Sequence, residues 1–259
     1  MKTLIYTQAF DRGPVPRHRW MVQLMIASLR RSGYAGDVMI FTDSEEPLYA
    51  RCPLGVEQVR IDLPPEANGT GAMMRAKYLA GCLLPRGYDW IGYIDDDCIV
   101  LRNPIEHLPA DAAVVYAEEP WHPLSYPFFN AYLTDSEMAA ERPGINAGVW
   151  FLRGDGAHDF LRAWAENDAR SPLREKVCQE QPAFARTVLD CGARARAFGG
   201  DFRIVYPDCT EYRMAEQLRA GLVHFAAITT EEKLRRMLGY TVMQTGESLA
   251  PFLAELTQG

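Results

Sequence analysis

The chain has 259 residues, of which 48% are hydrophobic and 24% charged, and its formal net charge is −7. This composition is typical of a soluble globular protein with a sizeable core, and it excludes the disordered, collagen-like and disulfide-scaffold classes. The negative charge argues against nucleic acid as a partner, because binding to a phosphate backbone depends on clustered lysine and arginine.

The six cysteines include no CxxC pair, and we interpret them as reduced, mostly buried thiols. The apolar stretch at residues 4–6 is too short for a signal peptide, and no window approaches the roughly 18 apolar residues of a membrane span. These patterns predict a cytoplasmic protein without integral membrane association. They leave the oligomeric state open.

Short apolar strands alternate with helices in the first part of the chain. The patterns predict strands at residues 4–6, 38–41, 56–61 and 90–94, and helices at residues 20–31 and 72–84. In the second helix Arg75 lies off one apolar stripe, which consists of Ala72, Ala76, Leu79, Ala80, Leu83 and Leu84. Alternation of this kind predicts an α/β fold with a mostly parallel sheet and helices on both faces. Ligands of such sheets bind at the carboxyl ends of the strands.

Further strands are predicted at residues 113–116 and 149–152, with a loop-like, Pro-rich and aromatic stretch at 120–129 between them. The second part carries predicted helices at 157–169 and 182–189 and short strands at 204–206 and 222–225. No repeat or linker separates the parts. We therefore predict one domain over 1–259 with two subregions, about 1–154 and about 155–259.

Three consecutive aspartates, Asp95, Asp96 and Asp97, follow the predicted strand at residues 90–94. At a separation of ~4 Å and an effective dielectric of 20, each like-charge pair costs on the order of 4 kcal/mol. A hard divalent cation such as Mg²⁺ or Mn²⁺ binds carboxylate oxygens and removes this repulsion. The alternative is a solvated acidic turn.

Apolar residues flank the aspartates on both sides, in the segment Tyr93-Ile94-Asp95-Asp96-Asp97-Cys98-Ile99. This segment resembles the DxD motif of GT-A glycosyltransferases, in particular the retaining enzymes of glycosyltransferase family 8, the galactosyltransferase and glycogenin type. The resemblance implies a GT-A fold in which Asp95 and Asp97 bind Mn²⁺ or Mg²⁺. It also implies that Asp95 or Asp96 contacts the ribose of the donor.

Upstream, the segment Met74-Arg75-Ala76-Lys77-Tyr78 resembles the Arg-x-Lys helix start of the same family. The resemblance implies that Arg75 reaches the diphosphate or the sugar, and it places Lys77 among the donor-binding residues. A guanidinium near a helix N-terminus is also, on physical grounds, a bidentate partner for phosphate. The alternative is a solvated basic helix face.

Downstream, the segment from Gly144 to Trp150 resembles the strand entry whose asparagine lines the sugar pocket, which implies this role for Asn146 and Ala147. Gln179-Glu180-Gln181-Pro182 resembles the Asp-Gln segment that opens a helix near the anomeric carbon, with Glu180 where the family usually has aspartate. Together with Arg75, the residues Glu180 and Gln181 are the catalytic candidates.

Val223-His224-Phe225 resembles the late segment that gives the metal its third protein ligand, His224. The alternative for a single histidine among apolar residues is a buried core side chain. The Gly and Lys-Pro-Trp that commonly follow this histidine are missing, and Lys233 is a candidate substitute as a phosphate contact. A neutral imidazole favours Mn²⁺ over Mg²⁺.

The resemblance implies transfer of a sugar from a nucleotide diphosphate sugar, with UDP as the expected nucleotide, to a hydroxyl of a small-molecule or glycan acceptor, and it favours retention. Thr7, Gln8 and Asp43, polar residues at strand ends, are expected beside the nucleotide, and Trp121 and Asp201 on the acceptor side. Four carboxylates are alternative candidates for a general base or for a group that binds the acceptor: Glu118, Glu119, Glu180 and Asp201. A sugar nucleotidylyltransferase and a non-catalytic nucleotide-sugar or glycan-binding protein are the rival interpretations.

Overall fold

The computed structural model describes residues 1–10, 17–49, 53–63, 69–126, 133–139, 142–154, 156–171, 180–199, 202–206, 220–226 and 230–245. The strands are β1 Thr3–Ala9, β2 Asp37–Thr42, β3 Val56–Arg60, β4 Trp90–Ile94, β5 Cys98–Val100, β6 Val114–Pro123, β7 Pro143–Arg153, β8 Ala195–Ala197, β9 Ile204–Val205 and β10 Leu222–His224. The α-helices are α1 Arg17–Arg31, α2 Gly69–Gly81, α3 Asp135–Ala139, α4 Gly156–Ala169, α5 Glu180–Asp190 and α6 Thr230–Thr245.

A seven-stranded sheet in the order β3-β2-β1-β4-β7-β6-β8 forms the centre of the molecule. Strands β3, β2, β1 and β4 are parallel neighbours, β7 runs antiparallel to both β4 and β6, and β8 is parallel to β6. The carboxyl ends of β1, β2 and β4 therefore meet at one edge of the sheet. Because β7 runs in the opposite direction, Val149 in the middle of β7 lies beside Ile94 at the end of β4.

Helices cover both faces of the sheet and bury two separate cores. On one face, α1 packs under β1 together with buried residues of β5, β10 and α6, such as Ile99, Val223 and Met237. On the other face, α2, α4 and α5 bury Tyr78, Trp164 and Phe184. These layers confirm the predicted fold class of a mostly parallel sheet flanked by helices.

A second sheet of three strands, in the order β5-β10-β9, joins the two halves of the chain. Strand β10 pairs antiparallel with β5, and this register places His224 opposite Cys98. A histidine far along the chain is thereby fixed next to the residues that follow β4.

The structure corrects several sequence-based expectations. The stripe predicted along residues 72–84 holds for Ala72, Ala76, Ala80 and Leu84, but Leu79 is 38% and Leu83 63% exposed. Arg75, expected off the buried stripe, is instead buried. Strand β6 extends to Pro123 through the first part of the predicted loop, because it continues to pair with β7 across a bulge; residues 127–129 lie outside the described part.

The described cysteines are free thiols, as expected. Cys98 is buried and Cys191 is half-buried, whereas Cys82, just after the end of α2, is exposed. The expectation of mostly buried thiols therefore does not hold for Cys82. Cys52, Cys178 and Cys209 lie outside the described residues. Within the described part of the chain, no helix combines the length and the apolar character needed to cross a bilayer.

Candidate active site

The aspartate turn lies where β4, β7 and β10 meet. Every residue of β4 is buried, and the strand ends directly at the turn. The backbone N–H of Asp95 donates to the carbonyl of Gly148 at 2.8 Å, and the N–H of Phe225 donates to the carbonyl of Asp97 at 2.9 Å. Backbone hydrogen bonds on both sides therefore fix the positions from which the three carboxylates project.

Asp97 and His224 form the centre of the site. The Oδ1 atom of Asp97 and the Nε2 atom of His224 lie 3.1 Å apart, and both side chains are buried. Among the described residues, neither Asp97 Oδ1 nor His224 Nδ1 has a hydrogen-bond partner. Burial opposes ionisation of Asp97, but Lys233 and His224 outweigh it and hold the pKa of this carboxyl well below its usual range.

This pair fits a divalent cation. Two ligands at right angles around an octahedral ion, each about 2.1 Å from it, are separated by about 3.0 Å. The Asp97–His224 separation of 3.1 Å agrees with this value. A buried carboxylate oxygen and an imidazole nitrogen are also a donor set that suits Mn²⁺ or Mg²⁺.

Asp95 and Cys98 lie at the margin of this pair. The Oδ2 atom of Asp95 is 3.6 Å from His224 Nε2. The Asp95 Oδ1 atom also accepts a hydrogen bond of 2.7 Å from the hydroxyl of Tyr93. Cys98 offers a sulfur atom within 4.8 Å of the ligand atoms of Asp97 and His224. Burial raises the pKa of the Cys98 thiol well above its usual value, and a protonated thiol is a poor ligand.

Gly148 is the point of closest approach between β7 and the site. A Cβ atom at this position would lie 2.4 Å from Asp95 Oδ2, 2.4 Å from His224 Cε1 and 2.9 Å from Asn146 Oδ1. The absence of a side chain is what allows the carboxylate and the imidazole to approach each other here. The lack of space for a Cβ atom is therefore the steric reason why glycine follows Asn146 and Ala147 in this segment.

Lys77 connects the aspartate turn to the start of α5. Its Nζ atom lies 3.2 Å from Asp95 Oδ1 and 3.3 Å from Glu180 Oε1, and only 4% of its side chain is exposed. Burial opposes the charged form of Lys77, but the two carboxylates outweigh it and raise the pKa of the ammonium. For Glu180, burial raises the pKa and Lys77 offsets part of this effect.

Gln181 belongs to a second polar network around Glu119. The Oε2 atom of Glu119 accepts hydrogen bonds from Asn146 Nδ2 at 2.9 Å and from Gln181 Nε2 at 3.2 Å. The Asn146 amide oxygen accepts from the backbone N–H of Gly148 at 2.8 Å. Strands β6 and β7 and helix α5 thereby present amide and carboxylate groups together, next to Lys77 and Asp95.

Arg75 is held by a buried carboxylate of α4. Its Nε atom donates to Asp168 Oδ2 at 2.9 Å, and the same oxygen accepts from the Tyr78 hydroxyl at 2.9 Å. Asp168 is completely buried, and its Oδ1 atom has no hydrogen-bond partner among the described residues. This pairing could not be anticipated, because Asp168 carries no motif and lies 93 residues from Arg75.

The remaining predicted residues are placed as follows. Thr7 and Gln8 lie near the carboxyl end of β1, and the buried atoms Thr7 Oγ1 and Gln8 Oε1 have no hydrogen-bond partner within the described chain. Asp43 directly follows β2, at the same edge of the sheet. Trp121 lies in β6. Its side chain and all of Asp201 lie outside the described part of the structure.

Two basic residues at the aspartate turn lie outside the motifs. His18, in the first turn of α1, places its Nδ1 atom 2.5 Å from Asp96 Oδ2. Lys233 of α6 contacts Asp97 Oδ2. The charge of Asp-Asp-Asp is a signal that basic partners must exist, but the sequence does not say which ones. Burial raises the pKa of Asp96, although the contact with His18 acts in the opposite direction.

No protein-family model matches the chain, and no curated protein is similar to it. Solved structures are similar to it. A glycosyltransferase involved in the glycosylation of the major capsid of PBCV-1 superposes on 92% of this chain and 98% of its own, with a TM-score of 0.57 and 14% sequence identity. The chain shares the fold of this glycosyltransferase. This similarity agrees with the predicted GT-A architecture and, at this identity, bears on the fold alone.

Proposed function

We propose that the protein is a glycosyltransferase that uses a nucleotide diphosphate sugar and a divalent cation, Mn²⁺ or Mg²⁺. The observation that carries the proposal is the buried pair of Asp97 Oδ1 and His224 Nε2, 3.1 Å apart at the carboxyl end of the sheet. Asp97 Oδ1 has no hydrogen-bond partner there among the described residues. The glycosyltransferase fold supports the assignment.

Asp97 and His224, with Asp95 beside them, are the residues that would hold the cation. When bound, the cation supplies Lewis-acid stabilisation of the negative charge that develops on a departing diphosphate. Thr7, Gln8 and Asp43 border the same edge of the sheet and would bind the base and ribose, with Asp96 as a further ribose contact. UDP is the nucleotide we propose.

The sugar would bind between β7 and α5. Glu119, Asn146 and Gln181 form one hydrogen-bonded group, and Lys77 holds Glu180 next to it. Sugar hydroxyls both donate and accept hydrogen bonds, so a cluster of carboxylates and amides complements them. Ala147 leaves room for close approach of the sugar to the β7 backbone.

We propose that Arg75 acts from a fixed position. The Asp168 carboxylate holds its Nε atom, so the guanidinium is oriented from α4 before the donor binds. A guanidinium offers five N–H donors in a rigid fork, which suits an anionic donor. Arg75 would thereby stabilise the negative charge that forms on the departing diphosphate.

We further propose that the reaction retains the anomeric configuration. Gln181, at the position nearest the expected anomeric carbon, is a poor base, which favours a route in which the leaving phosphate accepts the acceptor proton on the same face. The part after about residue 154, with Trp121 from β6 and Asp201, would bind a small-molecule or glycan acceptor. NMR of the anomeric proton in the first product formed distinguishes retention from inversion.

The proposal is tested by a thermal-shift screen of UDP, GDP, CDP and ADP and their sugars, each with and without Mn²⁺, because a ligand of the native state raises the melting temperature. We expect one nucleotide to shift the wild-type protein only when Mn²⁺ is present. Asp97→Asn should abolish this shift. Because the substitution also leaves Lys233 without its carboxylate partner, the shift is measured against the variant's own melting temperature without ligand.

Asp89→Asn is the matched control, because Asp89 accepts a hydrogen bond from the Lys2 backbone N–H at the opposite end of the sheet. It should retain the full ligand-induced shift. A shift of normal size in Asp97→Asn would refute the metal assignment. A shift without turnover of any acceptor would favour the non-catalytic binding protein, and turnover of a sugar phosphate with a nucleoside triphosphate would favour a nucleotidylyltransferase.

A further inference from the structure

Each of the three aspartates at the end of β4 contacts a basic side chain from a different helix. The pairs are Asp95 with Lys77 of α2, Asp96 with His18 of α1, and Asp97 with Lys233 of α6. The two lysines together offset two of the three negative charges, and His18 adds a third basic group. Lys77 is shared with Glu180, so the chain's own residues offset part of the negative charge around the turn before any cation binds.

Lys77 and Lys233 both contact proposed cation ligands, but Lys233 contacts Asp97, which is the carboxylate of the central pair with His224. Lys233 Nζ contacts Asp97 Oδ2, while Asp97 Oδ1 faces His224 Nε2. The side chain of Asp97 is 7% exposed and that of Lys233 is 19% exposed. An ammonium and a divalent cation on one buried carboxylate repel each other through a medium that screens them poorly.

Lys233 is also held less firmly than Lys77. Lys77 is 4% exposed and lies within 3.5 Å of Asp95, Glu180 and the carbonyl oxygen of Ala147. Within the described part of the chain, Asp97 is the one residue to which the ammonium of Lys233 donates a hydrogen bond. A lysine has a flexible four-carbon stem, so Lys233 can swing away by rotation of its own side chain while α6 stays in place.

We propose that Lys233 competes with the divalent cation for Asp97, so that the cation binds tightly only together with the anionic diphosphate of the donor. The proposal rests on the proposed function, because it takes Asp97 as a cation ligand. In the donor-free protein, Lys233 neutralises Asp97 and weakens cation binding. A bound diphosphate adds negative charge beside the turn, which restores the attraction for the cation.

The test is the dissociation constant of Mn²⁺ in the absence of nucleotide, measured from the electron paramagnetic resonance signal of free Mn²⁺. Lys233→Met removes the charge and keeps much of the side-chain volume, and we expect it to tighten Mn²⁺ binding about tenfold. Lys233→Arg keeps the charge and should bind Mn²⁺ as the wild type does. Arg235→Met is the matched control, because it removes one positive charge from the exposed side of the same helix, where solvent screens it.

A second measurement adds the nucleotide that the thermal-shift screen identifies. In the wild type this nucleotide should tighten Mn²⁺ binding more than it does in Lys233→Met. Equal or weaker Mn²⁺ binding by Lys233→Met without nucleotide would overturn the proposal, and so would an equal gain in Arg235→Met. If Lys233→Met does not fold, judged by circular dichroism, Lys233→Gln takes its place with the same expectation.

Failure of the proposed function gives a different result. If the wild type shows no nucleotide-dependent shift but Lys233→Met binds Mn²⁺ more tightly, the competition at Asp97 stands and the donor assignment fails. If neither protein binds Mn²⁺ at millimolar concentration, with or without the nucleotide, both proposals fail.

Discussion

The two ends of the central sheet differ in how far their buried polar groups are hydrogen-bonded. At the amino end, Arg30 donates to the carbonyl oxygens of Tyr34 and Gly36 at 3.1 and 2.6 Å, and to those of Leu54 and Gly55 at 3.3 and 3.1 Å. At the carboxyl end, the buried atoms Thr7 Oγ1, Gln8 Oε1, Asp97 Oδ1 and Glu180 Oε2 lack hydrogen-bond partners among the described residues.

This difference separates groups that hold the fold from groups available to a ligand. A buried polar atom without a partner lowers stability by about 1–3 kcal/mol, so a fold retains several at one place only where something else offsets the loss. At the amino end, Arg30 satisfies carbonyl groups of two neighbouring loops, and His158 Nδ1 is a buried atom without a hydrogen-bond partner in the described chain. The carboxyl end has atoms that a cation, a nucleotide or sugar hydroxyls would satisfy.

The largest effect is expected from Lys77→Met at the carboxyl end. The substitution leaves Asp95 and Glu180 without their shared ammonium, in a place where Lys77 and Glu180 are each 4% exposed. Removal of one partner of a buried ion pair destabilises a protein by about 3–5 kcal/mol. Urea denaturation should show a loss of this size in the free energy of unfolding.

The double variant Lys77→Met with Glu180→Gln is the control for this prediction. It removes one of the two carboxylates left uncompensated, so it should recover part of the lost stability. If the double variant is no more stable than Lys77→Met, the Lys77–Glu180 contact is not the source of the loss. If Lys77→Met is as stable as the wild type, the ion pairs of Lys77 with Asp95 and Glu180 do not stabilise the carboxyl end of the sheet.

A smaller effect is expected from Arg30→Ala at the amino end. The loss of hydrogen bonds to four carbonyl groups should lower the free energy of unfolding by roughly 1–3 kcal/mol. Nucleotide-dependent thermal shifts should be unchanged, because Arg30 lies at the end away from the site. Arg30→Lys should not restore stability, because an ammonium lacks the planar fork that reaches separate carbonyls.

The smallest effect is expected from Tyr88→Phe, also at the amino end. Partial burial, a hydrogen bond to Asp37 at 2.8 Å and nearby negative charge raise the pKa of Tyr88 to about 12. In the unfolded chain a tyrosine ionises near pH 10, so the contribution of Tyr88 is complete below about pH 10 and is lost as the pH rises towards 12. Tyr88→Phe should flatten the loss of stability between about pH 10 and pH 12. The free energy of unfolding is measured by urea denaturation across this pH range. If it falls equally steeply with pH in the wild type and in Tyr88→Phe, the prediction is wrong.

Much of the fold could be predicted from the sequence, because the apolar strands and helical stripes are local patterns. The buried strand that ends at Ile94 and the helix that starts at Gly156 are found close to where the periodicity places them. Prediction was weakest where tertiary packing decides exposure. Leu79 lies on the outer side of α2, and Leu83 is exposed just after the helix ends. The buried side of α2 includes Arg75, because α4 supplies Asp168 as its partner.

For the site, the sequence by itself determined which residue types are present and where the chain changes from apolar to acidic. Only the tertiary structure decided which charges meet, because the partners of the aspartates come from α1, α2, α6 and β10, up to 136 residues away. A carboxylate cluster requires basic partners on electrostatic grounds, but burial and distance select them. For this reason the contacts of His18 and Lys233 could be recognised only after the chain was folded.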